Sequence, residues 1–206
     1  MSMIGILALQ GDFQAHHDAL SKLDASTRFV RTASDLTGLD AMVLPGGESS
    51  TFLKLLESEG LWEPLARFAK THPILGTCAG AILMADQVEN PSQPCFGLIR
   101  MTVRRNAYGR QLSSSIRHAE AARDLNVGRK PGPPLEAVLI RAPIITEVGP
   151  EVQVLATLDG RPVVVRQGNY LAATFHPELT SDSRIHRYFN RMISKDESKD
   201  PAGNGK

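Results

Sequence analysis

The chain has 206 residues, 42% hydrophobic and 22% charged, which suits one domain with a buried core. Its 23 Lys and Arg against 22 Asp and Glu leave a net charge of +1, which argues against a strongly basic nucleic-acid binder. Two cysteines, Cys78 and Cys95, are too few for a disulfide scaffold or a four-thiolate metal site, and no apolar run reaches the roughly 20 residues that span a bilayer.

Residues 3–9 read as a buried strand, not as a signal peptide, since they lack a basic leader. A cytoplasmic protein without nucleic-acid or membrane partners is therefore expected. Residues 13–24 predict a helix with Phe13, Leu20 and Leu23 on one stripe. Phe29-Val30 is a weak second strand. Ala41–Leu44 is a third, stopped by Pro45-Gly46-Gly47. Ser49–Ser58 and Leu61–Lys70 carry helical spacing. Residues 73–76 form a short strand, and a helix is expected from Ala79 to about Val88. Strand–helix alternation at this interval argues for parallel βαβ units covered on both faces.

The second half differs. Residues 112–134 are polar and end in Pro131-Gly132-Pro133-Pro134, which reads as a partly helical insertion or a mobile loop. Val152, Val154, Ala156 and Leu158 alternate, Asp159-Gly160 marks a turn, and strands follow over 162–165 and 170–175. Ile185, Tyr188, Phe189, Met192 and Ile193 form the apolar stripe of a last helix. The expectation is a single α/β domain over 1–194: an open, mostly parallel sheet with helices on both faces and an antiparallel portion in the second half. Residues 195–206 cannot bury anything and should be disordered.

Gly76-Thr77-Cys78-Ala79-Gly80 stands between a strand and a helix. Flanking glycines permit the sharp turn of a nucleophile elbow. The turn lifts the sulfur to the carboxyl edge of the sheet and beside a helix N-terminus, which favours a thiolate. A buried structural role is the commoner fate of a free cysteine, but the strand–turn–helix context favours a nucleophile. His176-Pro177-Glu178 follows another strand. There His176 would take the thiol proton and Glu178 would fix the imidazole tautomer; a solvated loop histidine is the plain alternative. Pro45-Gly46-Gly47-Glu48 also follows a strand, where ligands bind in such sheets. The Gly47 N–H with that of Ala79 is a candidate oxyanion hole, although the loop alone reads as an ordinary turn.

These three elements, in order, resemble the class I (triad-type) glutamine amidotransferases of flavodoxin-like fold. Six separated stretches, Leu7–Asp12, Leu44–Thr51, Gly76–Gly80, Arg105–Gln111, Ile140–Pro143 and Thr174–Leu179, resemble the glutaminase-subunit family of pyridoxal 5′-phosphate synthase from residue 3 to about 193. The resemblance implies hydrolysis of L-glutamine through a Cys78 γ-glutamyl thioester, with His176 as base and then acid. It implies that Gly46, Gly47, Glu48, Arg105, Ile140 and Arg141 hold glutamine. An arginine fork suits an α-carboxylate and a carboxylate suits an α-ammonium; Arg105 could otherwise be a surface strand residue. It further implies delivery of ammonia to a (β/α)8-barrel synthase subunit making vitamin B6. Family members are poor glutaminases alone, and docking reorganises the oxyanion loop. No cofactor is implied. After Gln111 the family continues with an acidic, aromatic-containing stretch, whereas this chain reads Leu112-Ser113-Ser114-Ser115-Ile116-Arg117-His118.

Gln10, Gly11 and Asp12 share the sheet edge with Cys78 as interface or loop-support candidates, or as an ordinary βα loop. Cys95 lacks a nearby base. His16 and His17, adjacent on a helix, make a poor metal pair; His72, His118 and His186 show no ligand spacing, and no metal is expected. Rival readings are a glutaminase serving another amidotransferase, a cysteine hydrolase or chaperone-like protein on a similar sheet, and a non-catalytic module. The Arg105–Gln111 and Leu7–Asp12 stretches speak against the first. Ala79 following Cys78, where such hydrolases often place histidine, speaks against the second. The intact Cys78, His176 and Glu178 speak against the third.

Overall fold

Apolar strands and amphipathic helices alternate through the first half: β1 (Met3–Leu7), α1 (Phe13–Ser21), β2 (Ser26–Val30), β3 (Ala41–Leu44), α2 (Ser49–Ser58), α3 (Trp62–Ala69), β4 (Ile74–Thr77) and α4 (Ala79–Met84). Strands then dominate: β5 (Ala85–Glu89), β6 (Ile99–Arg104), β7 (Ser114–Ala121), β8 (Leu135–Ile140), β9 (Ile144–Val148), β10 (Gln153–Leu158), β11 (Arg161–Gln167) and β12 (Tyr170–Ala173), before α5 (Arg184–Glu197). The computed structural model describes residues 2–105, 114–125 and 132–197. Among them, no helix is long and apolar enough to cross a membrane.

The strands form a nine-stranded sheet, ordered β2-β1-β3-β4-β12-β11-β10-β7-β8, and a three-stranded sheet, ordered β5-β6-β9. From β2 to β12 every neighbour is parallel; from β12 to β8 every neighbour is antiparallel. Parallel strands buried on both faces are near-continuously apolar, and β3 and β4 are fully buried, Thr77 being the polar exception in β4. Their side chains divide by the two-residue period. Ala41 and Val43 join the core that holds Leu20 of α1 and Ile185 and Phe189 of α5. Met42 and Leu44 join the core that holds Phe52, Leu56 and Leu65 of α2 and α3. Helices thus cover both faces, and each fully buried Phe or Leu contributes about 1.5–3 kcal/mol.

Three elements depart from the sequence expectation. The helix after Cys78 ends at Met84 and β5 takes over at Ala85, because Ala85 and Val88 are buried three residues apart across a bulge. A three-residue interval looks helical but here belongs to a distorted strand. The polar stretch expected as a helical insertion or loop contains β7, which pairs antiparallel with β8 from Ser114↔Ile140 to Ala119↔Leu135. Between Ser115 and Ala121 only Ala119 of it is buried, so it shows no apolar period to read. Residues 112–113 and 126–131 lie outside the described residues. Finally, α5 runs to Glu197, into the stretch expected to be disordered; the rest of that stretch lies outside the described residues. The segment returning into β8 is tied to α5 by Arg184, whose guanidinium donates to the carbonyls of Pro133 and Pro134 at 2.8 and 2.9 Å.

Candidate active site

Parallel strands β1, β3, β4 and β12 end at one edge, so the loops after them meet there. Cys78 follows β4 directly and has φ 47° and ψ −103°. A non-glycine residue there carries backbone strain of order 1–3 kcal/mol. It is held by its own N–H, which donates to the Ala173 carbonyl of β12 at 2.9 Å, and by its carbonyl, which accepts from Ile82 N–H at 3.2 Å. Gly80 is needed for packing: a Cβ there would overlap the Leu44 carbonyl of β3. The elbow therefore lies tightly between two neighbouring strands. Cys78 is 5% exposed, and its thiol lies 3.8 Å from the Ile140 carbonyl, to which it donates.

His176 comes three residues after β12, anchored by its N–H on the Val138 carbonyl of β8 at 2.9 Å. Its Nδ1 lies 2.8 Å from Glu178 Oε1, so Nδ1–H donates to the carboxylate and Nε2 is left for the thiol. Gly46 lies flat against the ring, where a Cβ would overlap Cε1 and Nδ1. Burial alone would lower the His176 pKa; hydrogen bonds with Cys78 and Glu178, and their charges, outweigh it and raise it to about 10. Both neighbours thus favour the charged form of the ring over the neutral one. Burial pushes Glu178 up, against hydrogen bonding and charge from His176 that pull it down.

A cleft of about 160 Å³ opens over the sulfur. Cys78, His176, Gly47, Glu48, Arg105, Ile140 and Arg141 line it, so most of the residues expected from sequence converge on one space. Gly46 and Glu178 stand behind His176, and Ala79 is fully buried in the first turn of α4. The residue after β6, Arg105, donates through Nη2 to Glu48 Oε1 at 3.0 Å, with 11% of its side chain exposed against 44% for Glu48. Ser50 Oγ donates to the same oxygen at 3.0 Å. The two groups expected to face opposite charges of a substrate are thus paired directly with each other at the cleft wall. Arg141, on the turn after β8, has φ 45°. The rest of the Arg105–Gln111 stretch lies outside the described residues.

The loop after β1 serves two purposes. Gln10 clamps the peptide of residue 48, donating through Nε2 to the Glu48 carbonyl at 2.9 Å and accepting Glu48 N–H on Oε1 at 3.3 Å. Asp12 lines the cleft, with Oδ2 3.5 Å from His176 Nδ1. Asp12, His176 and Glu178 offer ligand atoms within 4.8 Å of one another, but the imidazole Nδ1 a cation would need already carries the proton given to Glu178.

Sequence reasoning passed over a buried group behind these residues. His16 and His186 are both fully buried. His16 Nδ1 is 3.0 Å from His186 Nε2, and His16 Nε2 is 3.0 Å from Thr77 Oγ1 and 3.3 Å from Glu178 Oε2. The available signal was a histidine on an apolar stripe: His16 stands three residues after Phe13 and four before Leu20.

The sequence profile of the SNO glutamine amidotransferase family matches residues 6–195. The chain is 54% identical over 190 residues to a protein named pyridoxal 5′-phosphate synthase subunit PdxT from Koribacter versatilis (strain Ellin345), with 92% of this chain and 95% of the relative covered. It is 50% identical over 189 residues to the protein of the same name from Solibacter usitatus (strain Ellin6076), covering 92% and 98%. A crystal structure described as a glutamine amidotransferase superposes with a TM-score of 0.83 at 41% identity, over 93% of this chain and 98% of that one.

Proposed function

Since this chain belongs to the SNO glutamine amidotransferase family, we propose that Cys78, His176 and Glu178 form its catalytic triad and that the cleft over Cys78 receives L-glutamine. The protein is a glutaminase that supplies ammonia for pyridoxal 5′-phosphate synthesis. The reaction proceeds in two halves. Cys78 Sγ, its proton held by His176 Nε2, attacks the side-chain amide carbon as the thiolate. The resulting oxyanion is held by the N–H groups of Gly47 and Ala79. His176 then protonates the amide nitrogen, ammonia leaves, and a γ-glutamyl thioester remains. In the second half His176 takes a proton from water, hydroxide adds to the thioester, and the thiol is expelled and reprotonated as glutamate departs. Glu178 keeps the imidazole in the tautomer that both halves need.

Arg105 and Arg141 suit the substrate α-carboxylate, and Glu48 suits the α-ammonium. Gly46 and Ile140 shape the walls beside His176 and Cys78. The ammonia passes to a (β/α)8-barrel synthase subunit bound over the sheet edge, and the complex works in the cytoplasm. The observation that carries the reading is the pairing of a thiol on a left-handed elbow with an imidazole whose Nδ1 rests on a buried carboxylate. The test is glutamate release from glutamine, measured with and without the barrel subunit, for the wild-type chain and Cys78→Ala. The barrel subunit should raise turnover, and Cys78→Ala should fold and bind it yet release no glutamate. Glutamate release by Cys78→Ala at the wild-type rate would overturn the assignment.

A further inference from the structure

Two neutral histidines are buried directly behind the triad, and the mechanism above does not use them. Burial, with the nearby His186 and His176, holds His16 well below the ordinary histidine range; burial alone brings His186 down to about 4. Each ring therefore carries one N–H at neutral pH. The hydrogen-bond pattern decides which nitrogen carries it. Among the described residues His186 Nδ1 is buried without a partner. An orphaned lone pair is tolerated more readily than an orphaned N–H, so the His186 proton belongs on Nε2. That N–H donates to His16 Nδ1, 3.0 Å away. His16 must then carry its own proton on Nε2, which donates to Thr77 Oγ1 at 3.0 Å and lies 3.3 Å from Glu178 Oε2. Among the described residues, Oε2 is the buried carboxylate oxygen left without a conventional hydrogen bond, while Oε1 is occupied by His176.

We propose that His16, set in one tautomer by His186, is a positioning residue that holds Nε2–H beside Glu178 Oε2, 3.3 Å away and shared with Thr77 Oγ1, so that the chain of groups behind the nucleophile runs His186–His16–Glu178–His176–Cys78. The inference rests on the triad reading above. A carboxylate held at one oxygen only can turn about its last torsion; a donor at the second oxygen fixes it. The same donor stabilises the ionised form of a carboxylate that burial would otherwise neutralise. The titratable groups facing Glu178 are His176 on its own turn, Asp12 from the loop after β1, and His16 from α1. His186 of α5 acts through His16, and Cys78 through His176.

The experiment uses the complex with the barrel subunit. It compares wild type, His16→Leu, His16→Gln and His186→Leu for glutamate release from pH 5 to 9. The pH profile of Cys78 alkylation by iodoacetamide and far-UV circular dichroism are recorded for each. His16→Leu should fold and lose about 10- to 100-fold in kcat, the range carried by one hydrogen bond to a charged group, with KM little changed. Its acid limb should move to higher pH, because Glu178 now protonates more readily, and alkylation should begin at higher pH. His16→Gln, whose amide N–H reaches toward the same oxygen, should recover most of both. His186→Leu should move the acid limb in the same direction by a smaller amount, and it serves alone if His16→Leu does not fold. A folded His16→Leu or His186→Leu with the wild-type acid limb, or equal losses in His16→Leu and His16→Gln, would overturn the proposal. Absence of glutamate release by wild type would instead refute the glutaminase reading. The alkylation profiles then decide the relay by themselves: a rise in pH in His16→Leu reversed in His16→Gln supports it, and coincident profiles refute it.

Discussion

Acid should weaken this fold through His186 in a measurable way. The residue is fully buried, and burial lowers its pKa from 6.5 to about 4. The unfolded chain binds a proton there below pH 6.5 while the folded chain does not, so stability falls as pH falls from 6.5 toward 4. With those two values, moving from pH 7 to pH 5 should remove about 2 kcal/mol through this side chain alone. Replacing His186 with Leu removes the titration but leaves His16 Nδ1 without its partner, which should cost about 1–2 kcal/mol at pH 7. The urea midpoints should therefore differ in favour of wild type at pH 7 and approach or cross by pH 5. Equilibrium urea unfolding at both pH values, followed by circular dichroism, provides the comparison. Equal losses of stability in the two proteins between pH 7 and pH 5 would refute the reasoning, because the buried ring would then be protonated as readily in the folded chain as in the unfolded one.

Gly46→Ala should lower kcat by about 100-fold, since its methyl would displace the imidazole by a fraction of its own width and misplacement of about 1 Å has that effect; steady-state kinetics with a check on folding tests it, and an unchanged kcat would place the ring elsewhere. Arg105→Lys should raise KM for glutamine about 10-fold or more with a smaller change in kcat, because a point charge cannot replace the fork that reaches Glu48 and the cleft; the KM–kcat split is the measurement.

The parallel half of the sheet was legible because strands buried on both faces leave unbroken apolar runs, as at Ala41–Leu44 and Ile74-Leu75-Gly76. The elbow was legible for a related reason: the crowding of α4 against β3 admits only glycine at position 80, so the constraint is written in the chain. His176 and Glu178 stood out because the pair is local and adjoins a strand. By contrast, β7 carries one buried side chain between Ser115 and Ala121 and exists through pairing with β8 and β10, which no local pattern encodes. The contact between His16 and His186 was equally hidden, since the two positions are 170 residues apart, although the apolar stripe from Phe13 to Leu20 signalled the burial of His16. The Glu48–Arg105 contact joins loops from different sheets and depends on tertiary geometry alone.

That contact also bears on which solutes can enter. Guanidinium and carboxylate satisfy one another at 3.0 Å, so the entrance attracts neither free amines nor free acids strongly. A solute with a single charge must part the two and leaves one of them bare. A zwitterionic amino-acid head can replace each partner by its counterpart and leaves nothing unmatched. Discrimination for such a head would therefore be written into the ion pair itself, before any bond to sulfur forms.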